Sequence, residues 1–379
     1  MLARPLPLAA IRTALRRNPI AAILGPRQCG KTTLARQLLP ALSAAYFDLE
    51  DPAHLERLAE PMLALGSLRG LVVIDEVQRR PELFPALRVL ADRPGKPARF
   101  LLLGSAAPAL LRQASESLAG RLEIVELGGL LLSEVGPEKH DRLWRRGGFP
   151  RSFLARSEAD SVAWREQFVR AFLERDLPQL ASQVAPSAMR RFWTVLAHFH
   201  GQTWNASEAA RTLDVSMPTA QRWLELLEGA LMIRVLRPFH ANLLKRQVKA
   251  PKLYFRDPGL LHLLLGIRTE RELLLHPRSG ASWEGFALEE ALRCFRPDEA
   301  FFWATHSGAE LDLLLLRGGR RIGVEFKRSD APKVTPSMRA ALEDLELDRL
   351  LVVTPGERSW PLAAKIEVVP LTSLSARLR

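Results

Sequence analysis

The chain has 379 residues, 47% hydrophobic and 25% charged, a globular composition long enough for two or three domains and unlike that of a disordered chain. Its 54 Lys and Arg against 42 Asp and Glu give a formal charge of +12, which suits a polyanionic partner such as nucleic acid, although codon bias towards arginine produces the same excess. Two distant cysteines, Cys29 and Cys294, argue against a disulfide framework or a CxxC zinc site, and the apolar runs are too short to span a bilayer. The N-terminal MLARPLPLAAIRTALRR has no secretory pattern, so a soluble, cytoplasmic protein with no membrane partner is expected.

In chain order, the first third alternates helical and strand patterns, the mark of an α/β domain with a mostly parallel sheet. A helix is predicted over Leu6–Arg17. Strands are predicted over Ile20–Leu24, Ala44–Phe47, Leu71–Ile74, Phe100–Leu103 and Leu122–Leu127, with a helix after the first that ends before Pro40. Beyond Gly128 the pattern is helical, with a turn at Gly147–Pro150 and a long helical run from about Glu158 to Leu177. From about Ala188 to Pro238 short helices are closed by a strand, and from about Pro251 strands return among helices. The expected divisions are 1–130 for the α/β core, 131–187 for a helical lid or linker, 188–245 for a small helical domain and 246–379 for a second α/β domain.

Between the first strand and its helix, Gly25, Pro26, Arg27, Gln28, Cys29, Gly30, Lys31 and Thr32 fit GxxxxGK[ST], with Thr33 following. Gly25 and Gly30 let the backbone wrap phosphates, the amides and helix N-terminus supply positive potential, Lys31 reaches the outer phosphates, and Thr32 offers a hydroxyl to Mg²⁺. The strand LVVIDEVQR then carries Asp75 and Glu76 at its carboxyl end, where open α/β sheets bind ligands. Asp75 would hold Mg²⁺ through water and Glu76 would activate the attacking water, so ATP and Mg²⁺ are the expected cofactors. FLLLGS ends in Ser105, a polar group where the γ-phosphate and water would lie.

This order of motifs resembles the AAA+ ATPases, and Ser105 matches their sensor-1 position. With GSAAPALLRQASESLAGR and GGFP, the chain also looks like the bacterial and archaeal AAA-type ATPases that carry a nuclease-like C-terminal domain. The resemblance implies an arginine finger at Arg121, offered to a neighbouring subunit in a ring or other homo-oligomer such as a hexamer. The plainer reading of Arg121 is an exposed residue at a helix end. Arg175 and Arg151 are weaker candidates for a sensor within the subunit.

The stretch Trp204–Ser216 followed by MPTAQRWLELLEGALMIRVLRP reads as helix, turn, helix, strand, with Asn205 or Ser207 capping one helix and Ser216 the next. Leu213, Val215, Ala220, Leu224 and Leu227 are spaced to form a small core. The segment resembles a winged helix-turn-helix, which would direct Thr219 and Arg222 towards DNA unless it packs on protein instead. The run Lys245, Arg246, Lys249, with Lys252, would add a phosphate-contacting stripe, though such runs are usually solvated loops.

Near the C-terminus, Gly318-Gly319 lies between alternating runs and predicts a two-residue hairpin. Pairing Arg317 with Arg320 sets Asp312 opposite Glu325 and Glu310 opposite Lys327. One face is then apolar, Leu311, Leu313, Leu315, Ile322, Val324 and Phe326, and is expected to be the buried one. Opposed carboxylates repel, which argues for a shared divalent metal at Asp312 and Glu325 or for neutralisation by Lys327. The D…ExK spacing resembles the PD-(D/E)XK nucleases, with Glu284 matching the acidic residue of their first helix. That resemblance leaves open active cleavage, DNA holding without cleavage, or a simple ion pair.

The expected activity is an ATPase that moves along or remodels DNA. A nucleotide-gated assembly switch with slow turnover is the alternative, and a small-molecule kinase is disfavoured because Glu76 suits activation of water.

Overall fold

The fold is described from a computed structural model, which describes residues 2–39, 44–95, 97–106, 114, 116–240, 246–329 and 331–377. The chain divides into two compact units, Met1–Leu130 with Gly229–Leu231, and Leu131–Glu228 with Met232–Arg379. Among the described residues no helix is long and apolar enough to cross a membrane.

The first unit opens with α1 (Pro5–Arg17), which buries Ile11, Ala14 and Leu15. Its sheet comprises β1 (Ile20–Gly25), β2 (Ala44–Asp48), β3 (Leu71–Asp75), β4 (Arg99–Ser105) and β5 (Leu122–Glu126) in the order β2-β3-β4-β1-β5, all pairs parallel. β1 and β3 are buried at every position, which is why they read as continuous apolar runs without alternation. The helix after β1, α2, spans only Lys31–Arg36. α3 (Leu83–Ala91) packs Leu83, Phe84, Leu87 and Leu90 into the sheet's core.

In the second unit, GGFP makes a tight turn whose geometry is set by Asp257. The Asp257 carboxylate accepts the Gly148 N–H at 2.7 Å and the Leu260 N–H at 2.9 Å, joining this turn to a helix more than a hundred residues later. Gly147 has φ +79, and a Cβ there would lie 2.2 Å from Asp257 Oδ1. The long helix is α4 (Glu158–Ala171), capped by Ser157 and continued by a wider turn over Phe172–Asp176.

Next come α5 (Pro186–His198), β6 (Gln202–Thr203), α6 (Ala206–Leu213), α7 (Met217–Gly229), β7 (Ile233–Leu236) and β8 (Lys252–Phe255). The three strands form an antiparallel sheet, β6-β8-β7, which therefore runs across the division expected at 245/246. Asn205 caps α6, and Ser216 Oγ accepts the Thr219 N–H at 3.2 Å at the start of α7. Leu213, Ala220, Leu224 and Leu227 are buried, while Val215 is only half-buried.

The elements that follow include α8 (Pro258–Leu264), α9 (Ser279–Phe295), β9 (Glu299–Ala304), β10 (Glu310–Arg317), β11 (Arg320–Phe326), α10 (Pro336–Asp344), β12 (Arg349–Thr354), β13 (Trp360–Ala363) and β14 (Ile366–Pro370). The strands make one mixed sheet, β13-β14-β12-β11-β10-β9. Gly318 and Gly319, at φ +54 and +78, form the hairpin turn, and the register Arg317↔Arg320 runs back to Leu313↔Val324.

Two expectations fail beyond that point. β10 shifts register against β9 between Leu311 and Leu314, so Leu311 packs with Leu314, Trp303 and Met338 and not on the face of Leu313 and Leu315. The carboxylate-bearing face is not solvated either, because Asp312 and Glu325 are 7% and 3% exposed. The outer edge of β9 is covered: Phe302 N–H donates to Arg237 O, Phe239 N–H to Phe302 O and Val248 N–H to Ala304 O, at 3.1, 2.7 and 3.0 Å.

Gly147→Ala should destabilise the second unit by about 2–4 kcal/mol, since it combines a left-handed backbone with a clash against a buried carboxylate. Thermal and denaturant unfolding should show it, with a smaller loss for Gly148→Ala.

Candidate functional site

The parallel order places the ends of β1, β4 and β3 side by side, and the polar residues of the first unit gather there. In the loop after β1, Gln28 and Gly30 take positive φ of 62° and 99°, turning the backbone towards the start of α2. Gly25 is required by crowding, as a Cβ there would lie 2.2 Å from Leu127 O. Lys31, 6% exposed, donates to Gly25 O at 3.0 Å and Pro26 O at 2.9 Å. Behind the loop, the buried Arg4 donates to Cys29 O at 3.0 Å and to Gly129 O at 2.7 Å, tying the loop to the exit from β5.

At the end of β3, Asp75 Oδ2 accepts from Thr32 Oγ1 at 2.7 Å and from Tyr46 Oη at 2.6 Å, while Oδ1 accepts the Glu76 N–H at 2.9 Å. Burial, followed by the hydrogen bond to Asp75, pushes the Tyr46 phenol above its ordinary range, so it remains a donor. Glu76 adopts φ +56 and its carboxylate accepts from the Gln78 amide. The Ser105 N–H donates to Gln78 Oε1 at 3.3 Å, which orients that amide with its NH₂ towards Glu76, while Ser105 Oγ is buried and has no partner among the described residues. The hard oxygens of Thr32 and Asp75, adjacent at the mouth of an amide-lined loop, fit Mg²⁺ in chemistry and number, since that ion keeps several waters.

Arg121 is elsewhere. It stands at the start of β5, the opposite end of the parallel sheet from the loop, and donates to both oxygens of Asp92 at 2.6 and 2.7 Å. Arg151 and Arg175 are exposed residues of the second unit. Tyr46, Gln78 and Arg4 belong to the site's surroundings and are not legible in the sequence: Tyr46 and Arg4 act through contacts distant along the chain, and Gln78, two residues from Glu76, is oriented by the distant Ser105 amide.

The second unit gathers its own charges. Glu284 of α9 accepts from Tyr254 Oη at 2.6 Å and lies 3.7 Å from Lys252 Nζ. Lys252, expected in a solvent-facing stripe, is 5% exposed and also pairs with Glu310. Lys327 pairs with Glu325 at 2.7 Å and lies 3.9 Å from Asp312, so it does not balance Glu310 as the simple register implied. Asp312 Oδ2 accepts the Phe326 N–H at 2.9 Å, replacing the regular pairing that stops at Leu313. Burial, then the nearby Asp312, raise Glu284 to about 7 and Glu325 to about 8. Lys327 is raised too; burial opposes this, and Asp312 and Glu325 outweigh it. Among the described residues no three His, Cys, Asp or Glu are grouped to hold a metal ion.

Of the DNA-facing candidates, Arg222, Arg246 and Lys249 are exposed and Thr219 is half-buried, its hydroxyl 2.8 Å from Ser216 Oγ; Lys245 lies outside the described residues.

A phosphate-wrapping loop after β1 and an Asp-Glu pair after β3 in a parallel α/β sheet define a P-loop ATPase, and residues 17–136 match the AAA domain family. The chain belongs to the family of the uncharacterized proteins Rv2008c of Mycobacterium tuberculosis and Mb2031c of Mycobacterium bovis. It is 52% identical to each over 362 residues, covering 96% of this chain and 82% of either relative. Residues 137–271 and 279–374 match two domains of unknown function, DUF8612 and DUF4143. Among solved structures it is similar to the Walker-type ATPase paby2304 of Pyrococcus abyssi, at 15% identity and a TM-score of 0.46, over 70% of this chain and 96% of that one.

The raised Glu325 carboxyl has a linkage consequence. A carboxyl whose folded value exceeds its unfolded one favours the fold below the unfolded value and loses that contribution as pH rises through the folded value. Wild type should therefore lose stability relative to Glu325→Gln between about pH 5 and 8, with little change in the difference below that window. Melting temperatures of the two proteins across this range check the sign.

Proposed function

We propose that the chain couples ATP hydrolysis in its first unit to work on DNA, using Lys31 and the loop Gly25–Thr33 for the phosphates and Glu76 for water. Thr32 and Asp75 would hold Mg²⁺, which supplies charge neutralisation at the phosphates when bound. Gln78 orients Glu76, and the Ser105 hydroxyl, without a partner among the described residues, suits a γ-phosphate or water contact. ATP-site chemistry is what the AAA domain supports; the DNA reading goes further.

The observation that carries the DNA reading is the order helix, strand, helix, helix, strand, strand from α5 to β8. Its three-stranded sheet and the exposed Arg222 on α7 support a winged-helix reading. Arg246 and Lys249, exposed on the segment between β7 and β8, supply phosphate contacts. DNA should stimulate ATP turnover. Arg222→Ala should weaken DNA binding, and a joint Arg246→Ala, Lys249→Ala variant should lower the slope of log affinity against log salt by roughly 2. If DNA changes neither turnover nor binding, the nucleotide-gated switch is the better reading; Gln78 on Glu76 and Lys31 on its own loop carbonyls suit such slow turnover. Incubating the same DNA with Mg²⁺ or Mn²⁺ tests whether Asp312, Glu325, Lys327 and Glu284 cut it. Metal-dependent cleavage lost in Asp312→Ala would support a nuclease.

Arg121 serves best in trans. A five-residue strand separates it by roughly 17 Å from the loop end of its own sheet. Mixing Arg121→Ala with Lys31→Ala subunits should recover part of the ATPase if sites are shared between neighbours. No recovery, with a monomeric mass in ATP, would count against a ring.

A further inference from the structure

Tyr46 has no part in the motifs that mark the nucleotide site, yet it touches the site's central carboxylate. In the register of β2 and β3 it stands beside Val73, two residues before Asp75, so Tyr46 and Asp75 share one face of the sheet. Its hydroxyl donates to Asp75 Oδ2 at 2.6 Å, the same oxygen that accepts from Thr32 at 2.7 Å. With the Glu76 N–H on Oδ1 at 2.9 Å, three donors from three directions fix the rotation of this carboxylate. α2 closes the arrangement. Thr32 and Arg36 lie one turn apart on that helix; Thr32 reaches Asp75, and the Arg36 guanidinium lies 5.9 Å from the Tyr46 ring centre.

We propose that Tyr46 is a positioning residue of the ATPase, whose phenol hydrogen bond holds the Asp75 carboxylate in the orientation that serves Mg²⁺. This rests on Asp75 being the metal-side carboxylate. A half-buried phenol gains from an acceptor, and most acceptors would satisfy it. What distinguishes this one is that its oxygen is shared with the threonine of the phosphate loop, so losing the phenol leaves Oδ2 held by Thr32 alone and loosens the carboxylate's orientation. Removing the hydroxyl should therefore act on the metal more than on the nucleotide.

Tyr46→Phe keeps the ring and its contact with Arg36 and removes only the donor. Calorimetric binding of ATP, with and without Mg²⁺, reads its effect directly, and thermal melting verifies the fold. Without Mg²⁺ the variant should bind ATP as wild type does. With Mg²⁺ its affinity should fall about tenfold, and half-saturation by Mg²⁺ should need about tenfold more metal. In an Asp75→Asn background, the same change should have no further effect, because the anion it orients is gone. Equal losses with and without Mg²⁺ would make Tyr46 a packing residue and overturn the proposal. So would an unchanged Mg²⁺ response, or additive losses in the double variant. If Asp75→Asn alone leaves the Mg²⁺ response intact, the assignment of Asp75 itself falls, a failure distinct from that of Tyr46.

Discussion

Parallel pairing of β1 with β4, and of β4 with β3, is the constraint on which the chemistry of the first unit depends. All strands of this sheet point the same way, so every loop that leaves a strand's carboxyl end emerges on one side. Lys31, Asp75 and Ser105 come from stretches far apart in the chain and meet only because β1, β4 and β3 are neighbours in that order. The apolar strands that hold this register are buried on both faces, which keeps the loops' starting points fixed to within a side chain's reach.

The second unit meets a different constraint, the expense of placing charge out of water. Glu284, Glu325 and Asp312 are confined near one another, and the fold answers with two ammonium groups and a phenol. Lys252 and Tyr254 come from β8, and Lys327 directly follows β11, so the cluster draws on both sheets of the unit. Burial and the neighbouring Asp312 still raise two of these carboxyls, Glu284 and Glu325, above the ordinary carboxylate range.

What the sequence disclosed follows the range of the interaction. The loop from Gly25 to Thr33 and the Asp75-Glu76 pair are legible because their function lies in consecutive residues. The Gly318-Gly319 turn is legible too, since a two-residue hairpin needs positive φ in sequence. Counting outward from that turn succeeds for five pairs and then fails at Asp312, where β10 bulges against a strand whose position no local pattern reveals. The burial of Lys252 is illegible for a related reason. A lysine in a basic run is normally solvated, and its burial against Glu284 and Glu310 depends on a helix and a strand that come later in the chain. Gln78 follows Glu76 by only two residues, but its orientation is decided by the Ser105 amide on another strand.

The hydrogen bonds that Arg237, Phe239 and Val248 make with β9 bear on where this protein can be divided. The family match to the last region begins at residue 279, which looks like a natural place to separate it. Cut there, β9 would present its open row of amides and carbonyls to any passing strand, and Glu284 and Glu310 would lose the ammonium and phenol that answer them. The evolutionary module and the physical module therefore have different borders: the smallest piece that keeps its edge closed and its charges matched starts well upstream, with the strand that carries Lys252 and the segment that precedes it.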